Sequence, residues 1–156
     1  MIMNIRCELL SPADVSDALI NELAAAEIEC FGDKNAWSHT SVAEFARNDY
    51  SRLMLARDEN AVVGYAFASV LFDEAELANI AVLPHARRFG IARSMLTSLI
   101  AVLRDEGAEA LHLEVRESNV PARALYDSFG FSIDCKRKDY YRHPREDAVL
   151  MTLKLI

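Results

Sequence analysis

The residues with the clearest chemical potential lie between Leu77 and Ala92, where Leu77-Ala-Asn-Ile-Ala-Val-Leu-Pro-His-Ala-Arg-Arg-Phe-Gly-Ile-Ala92 runs from a strand pattern into a helix pattern. The spacing Arg87-x-x-Gly90-x-Ala92 opens that helix on small residues. A helix start presents unpaired N–H groups and positive dipole potential, so a pyrophosphate can sit there if the backbone is approachable. Gly90 and Ala92 supply that access, while Arg87, Arg88 and Arg93 add guanidinium groups suited to phosphate oxygens. By itself the turn reads more simply as packing, with Gly90 fitting helix against strand and the arginines solvated. Two more titratable residues stand out. Glu114 lies between Leu113 and Val115 in an extended run, and strand alternation turns it to the opposite face. Tyr126 falls in a stripe with Ala122, Leu125 and Phe129 at helical spacing. Residue type leaves both open: Glu114 could pair with Arg116 at the surface, and Tyr126 could be half-buried packing with its hydroxyl at the rim.

These residues need elements to hold them. Asn4 to Leu9 reads as a short strand, and Ser11-Pro12 opens a helix striped by Leu19, Leu23, Ala26 and Glu29. A loop is expected from Cys30 to Trp37. A second short helix begins near Ser38 and runs to Asn48, with Ser41 and Glu44 at capping-box spacing. Arg52 to Arg57, Val62 to Phe72 and Leu77 to Val82, separated by turns at Asp58-Glu59-Asn60 and Asp73-Glu74, form an antiparallel meander. Ile91, Met95, Leu96, Leu99, Ile100 and Leu103 mark the strongest amphipathic helix, with Gly107 at its C-terminal end. Strand Ala110 to Val115, helix Asn119 to Ser128 closed by Gly130, and strands Phe131 to Lys138 and Ala148 to Leu155 complete the chain. The order implies an α/β fold with a mixed sheet and helices on both faces, in one domain from residue 1 to 156.

Composition bounds the function. The 156 residues are 52% hydrophobic and 26% charged, enough for a sizeable core and unlike a disordered or fibrous chain. Seventeen Lys and Arg against 24 Asp and Glu give a net charge of −7, which argues against nucleic acid as a general partner. Cys7, Cys30 and Cys135 are odd in number and widely spaced, without CxxC or paired histidine, so neither a disulfide framework nor a zinc site is indicated. No apolar run approaches the length of a membrane span. The first residues, MIMNIRCELL, lack the pattern of a secretory leader. A cytoplasmic location is expected.

Several of these motifs together carry a resemblance. Ile80-Ala-Val82, the arginine turn, Leu113-Glu-Val-Arg-Glu-Ser-Asn119 and Ala124-Leu-Tyr-Asp-Ser-Phe-Gly-Phe131 resemble the GNAT acyltransferases. Arg137-Lys-Asp-Tyr-Tyr141 and Glu146-Asp-Ala-Val-Leu-Met151 resemble more narrowly the ribosomal-protein-alanine N-acetyltransferases. Phe89 and Ala92 stand where that subgroup commonly has Arg and Gly, and the loop before Trp37 is longer than its usual Phe-Pro step. The resemblance implies a mostly antiparallel sheet whose two central parallel strands splay apart, with acetyl-coenzyme A as donor and no metal. It places the pantetheine arm along Ile80, Ala81 and Val82, the pyrophosphate on Arg87, Arg88, Phe89, Gly90, Ile91, Ala92 and Arg93, and Asn119 against the arm.

Acetyl transfer to an amine needs a neutral amine, stabilisation of an oxyanion and a proton for the leaving thiolate. The resemblance assigns Glu114 as base, Tyr126 as acid and a backbone N–H, that of Val82, to the oxyanion. An α-amine, with pKa near 8 against about 10.4 for lysine, requires only a modest base. The implied acceptor is the N-terminal alanine of a small-subunit ribosomal protein, a basic chain that the acidic surface would attract. It would enter past Trp37, Tyr140 and Tyr141, between segments Cys30 to Phe45 and Tyr140 to Asp147. A lysine or small-molecule amine acetyltransferase on the same fold, or a non-catalytic acetyl-coenzyme A-binding module, are the alternatives.

Overall fold

The computed structural model describes residues 3–156. These residues build one seven-stranded sheet flanked on each face by helices, a mixed α/β architecture. The strands are β1 (Ile5–Leu10), β2 (Ser51–Asp58), β3 (Ala61–Leu71), β4 (Glu74–Val82), β5 (Ala110–Arg116), β6 (Ser132–Arg142) and β7 (Arg145–Lys154), in the order β1-β2-β3-β4-β5-β7-β6. Every neighbouring pair is antiparallel except β4–β5, which is parallel.

Two apolar clusters sandwich this sheet. Helices α1 (Asp17–Phe31) and α2 (His39–Ala46) bury Leu19, Ile20, Leu23 and Val42 against Leu53, Leu55, Tyr65 and Phe67. On the other face, α3 (Ile91–Asp105) and α4 (Val120–Phe129) pack on alternating residues such as Met54, Ala66, Leu111, Leu113 and Met151. The six α3 residues picked out by helical periodicity are all buried, each contributing about 1.5–3 kcal/mol relative to exposure.

The central feature is a local failure of pairing. β4 and β5 are partnered only from Glu74–Leu77 to Ala110–Leu113. At that point the β3–β4 register steps from Phe67↔Asn79 to Ala68↔Leu77, so Ala78 is an extra residue on β4. Such a bulge bends and twists its strand. Beyond it β4 follows β3 to Val82 and β5 follows β7 to Arg116, leaving a wedge between them with unpaired backbone edges.

Several element boundaries differ from the sequence reading. Pro12–Asp14 forms an isolated 3-10 turn, because Val15 leaves it in extended conformation (ψ 110°). α1 starts instead at Asp17, capped by Ser16, whose Oγ accepts from the Leu19 N–H at 3.1 Å. It runs through Cys30 to Phe31 and stops at Gly32 (φ 76°). The cap of α2 is Ser38, accepting from the Ser41 N–H at 3.1 Å, and not a Ser41–Glu44 box. The hairpin β6–β7 reaches further than its apolar pattern suggests, because β6 is exposed along nearly its whole length and carries no alternation to read.

Candidate active site

The wedge opens onto two cavities that meet inside it. The larger, of about 710 Å³, lies between the β4 edge, the start of α3 and α4. Ile80, Ala81, Val82, Arg87, Arg88, Gly90, Ile91, Ala92, Arg93 and Asn119 line it, so the structure brings together all the residues expected to hold a coenzyme except Phe89. Phe89 is about half exposed. Arg88 and Gly90 both take left-handed backbone conformations, with φ of 72° and 74°. Gly90 caps α3 without any side-chain hydrogen bond, leaving the first N–H groups of the helix to a ligand. No heavy atom stands within 4 Å of where a Cβ on Gly90 would project, so glycine is favoured there by conformation and not by space, which is left open.

Two of the three arginines, Arg87 and Arg93, are held in place by the protein. Arg87 Nε donates to the Val82 carbonyl at 3.0 Å, and Arg93 Nη2 donates to Ser128 Oγ at 2.9 Å, with its guanidinium over the Phe129 ring at 5.3 Å. Each guanidinium has five N–H donors, so these bonds orient it and leave others for an anion. Asn119 Oδ1 accepts from the Ala122 N–H at 3.3 Å as the N-cap of α4, and the residue borders both cavities. Helix-start donors, fixed cations and an unpaired strand edge suit a long ligand with a diphosphate at one end and amides along its arm.

The smaller cavity, of about 320 Å³, is bordered by Glu27, Trp37, Asn79, Glu114, Arg116 and Tyr141. Phe31, Ile80, Asn119 and Tyr126 belong to both cavities and mark where they join. Tyr126 is 5% exposed, with its ring 5.5 Å from that of Phe131. Burial pushes its phenol up to about 12, extending its protonated form into the alkaline range. Glu114 points off β5 away from the Leu113 and Val115 core, with its side chain about one quarter exposed. Its ionic neighbour is Arg137 at 3.5 Å, not Arg116. Arg116 instead binds Glu146 at 3.2 Å and the carbonyls of His143 and Pro144, and stacks on Tyr141 at 4.3 Å.

Of the expected acceptor wall, Trp37 and Tyr141 border the cavity. Trp37 is wedged against Phe45 and Phe67, each at 5.3 Å between ring centroids. Burial, followed by the Glu114 charge, pushes Tyr141 up to about 12. Tyr140 does not border the cavity; it meets Tyr141 edge to face at 5.0 Å, and hydrogen bonding to Glu114 raises its phenol pKa. Sequence reasoning missed Glu27, Phe31 and Arg116. Glu27 was recoverable in principle, since it follows Leu23 by four residues on the buried face of α1. Phe31 was hidden by the expectation that the helix frays at Cys30. Among the described residues there is no cluster of three or more metal-ligating side chains, and no helix is long and apolar enough to cross a membrane.

Known proteins share this fold. Residues 17–131 match the family model described as Acetyltransferase (GNAT) family. The ribosomal protein bS18-alanine N-acetyltransferase of Haemophilus ducreyi is 39% identical over 132 residues, covering 83% of this chain and 90% of the relative. The crystal structure of the ribosomal-protein-S18-alanine N-acetyltransferase from Escherichia coli superposes with a TM-score of 0.85 at 31% identity, over 96% of this chain and 94% of that one. A GNAT family acetyltransferase from Elizabethkingia anophelis with acetyl-CoA bound shares the fold at 18% identity, with a TM-score of 0.74 over 97% of this chain and 98% of that one. The splayed sheet, the arginine turn and these likenesses agree: the chain belongs to the GNAT acetyltransferase family and is an N-acyltransferase.

Proposed function

We propose that the enzyme moves the acetyl group of acetyl-coenzyme A to the α-amine of a protein, the N-terminal alanine of a small-subunit ribosomal protein such as bS18. The observation that carries this is the meeting of the two cavities at Tyr126 and Ile80, with the arginine turn at the far end of one and Glu114 on the wall of the other. The relatives' acceptor supports the choice of alanine. A basic ribosomal chain also complements a protein of net charge −7.

Acetyl-coenzyme A supplies a thioester carbonyl and a thiolate leaving group. The N–H groups at the start of α3, with Arg87, Arg88 and Arg93, hold its diphosphate, and the unpaired edge at Ile80, Ala81 and Val82 pairs with its amide arm. Glu114 takes a proton from the incoming α-ammonium, directly or through one water, and the amine attacks the carbonyl. The Val82 carbonyl accepts from Arg87 and, at 3.6 Å, from Cys30 Sγ, so it does not face β3. A residue's N–H and C=O leave a strand on the same side. The Val82 N–H therefore faces the wedge and suits the oxyanion. Tyr126, whose phenol burial pushes up to about 12, donates to the departing sulfur. Glu114→Gln and Tyr126→Phe each slow turnover by about 10²–10⁴-fold with coenzyme binding unchanged; single-turnover kinetics beside calorimetric coenzyme titration measure both, and undiminished turnover sinks the assignment.

A further inference from the structure

The mechanism leaves one buried carboxylate unused. Glu27 is 0% exposed, yet it belongs to the wall of the smaller cavity. Its Oε1 accepts from the backbone N–H of Trp37 at 2.9 Å. Its Oε2 accepts from Asn79 Nδ2 at 2.9 Å and from the Tyr65 hydroxyl. No basic side chain forms an ion pair with it among the described residues. A buried carboxylate is costly unless its oxygens are satisfied, and here donors from three separate elements satisfy it. Those three donors are not arbitrary parts of the fold. Trp37 forms the acceptor-side wall, Asn79 sits beside the bulge that opens the wedge, and Tyr65 belongs to β3, the strand paired with β4.

We infer that Glu27 is a positioning residue of the acceptor half-site, locking the Trp37 wall to the β4 bulge so that the amine meets the thioester in reach of Glu114. This rests on reading the smaller cavity as the acceptor side. Residues 32–37, the loop that Glu27 pins, also meet the sheet through Trp37 packed on Phe67 of β3 and through Asn35 Nδ2, which donates to the His143 carbonyl at 2.6 Å. Among the described residues, Glu27 alone ties the Trp37 backbone to β3 and β4 together. The diphosphate end of the larger cavity shares no residue with the Glu27 network. Disturbing Glu27 should therefore move acceptor recognition and leave coenzyme binding alone. A role confined to overall stability would not make that distinction.

The test compares Glu27→Met, which removes all three bonds at similar volume, with Glu27→Gln, which keeps one accepting oxygen, and Tyr65→Phe, which removes one donor. Acceptor KM and kcat are measured with an alanine-starting peptide, and coenzyme Kd by calorimetry. The expected result is an acceptor KM raised about tenfold in the Met variant and about threefold in the Gln and Phe variants, with coenzyme Kd within about twofold throughout. If the Met variant does not fold, the Gln and Phe variants decide. An unchanged acceptor KM in both, or a rise matched by equal loss of coenzyme affinity, overturns the inference. Glu114→Gln is measured in parallel: full turnover there defeats the assigned base chemistry, while the Glu27 series still reads KM for whichever amine is acetylated.

Discussion

At Gly90 the backbone φ of 74° sits where a Cβ is strained, although nothing stands in the way of the added methyl. Gly90→Ala should cost about 1–2 kcal/mol of conformational energy and pull the α3 start away from its binding geometry. Calorimetry should show coenzyme affinity reduced about tenfold, with acceptor KM little changed. Tyr126 makes a different kind of prediction. An ordinary tyrosine would lose its proton near pH 10, but burial raises this one to about 12, so its acid form persists into the alkaline range. The pH profile of kcat should show no descending limb near 10 that disappears in Tyr126→Phe; finding one would remove Tyr126 from the proton-donating role.

Among the elements, the β6–β7 hairpin depends on Arg116, which holds Glu146, two carbonyls of the 142–145 turn and the face of Tyr141. Arg116→Gln should speed amide exchange at residues 141–146 and raise acceptor KM, with α3 protection and coenzyme binding unchanged. The β3–α3 contact is tight in another way. A Cβ on Gly64 would meet Met95 Cε at 3.0 Å and the Ala81 carbonyl at 3.1 Å, and β4 cannot easily yield. Gly64→Ala is expected to destabilise by about 1–3 kcal/mol in denaturant unfolding. What could be read in advance followed from periodicity. α3 was legible because six apolar residues recur on one face, and the arginine turn because strand and helix patterns abut there. The bulge at Ala78 left no such mark, since an extra residue within an apolar strand looks like any other. Glu27 was lost because a carboxylate in a helix reads as solvated unless its partners are known, and those come from residues 10, 38 and 52 positions away. Arg116 likewise depends on a hairpin whose exposed strand carries no pattern.

For the molecule as a whole, titration and charge give the tests. Tyr126 and Tyr141 are both raised to about 12 by burial first, above the value near 10 expected in the unfolded chain. The native state therefore holds protons that the unfolded state releases, so their stabilisation is full below pH 10 and is lost as pH rises through 12. Unfolding free energy should fall between about pH 10 and 12, and Tyr126→Phe should flatten that fall. Net charge −7 coexists with arginines 87, 88 and 93 gathered beside the larger cavity, which leaves the rest of the surface more acidic and suited to a basic acceptor. Incubation with acetyl-coenzyme A and peptides beginning Ala, Ser, Gly or Met, some containing lysine, followed by mass-spectrometric mapping of the acetyl group, tests the central claim most directly. Acetyl on the α-amine, fastest for the alanine peptide, is the predicted result; acetyl on lysine side chains alone would contradict it.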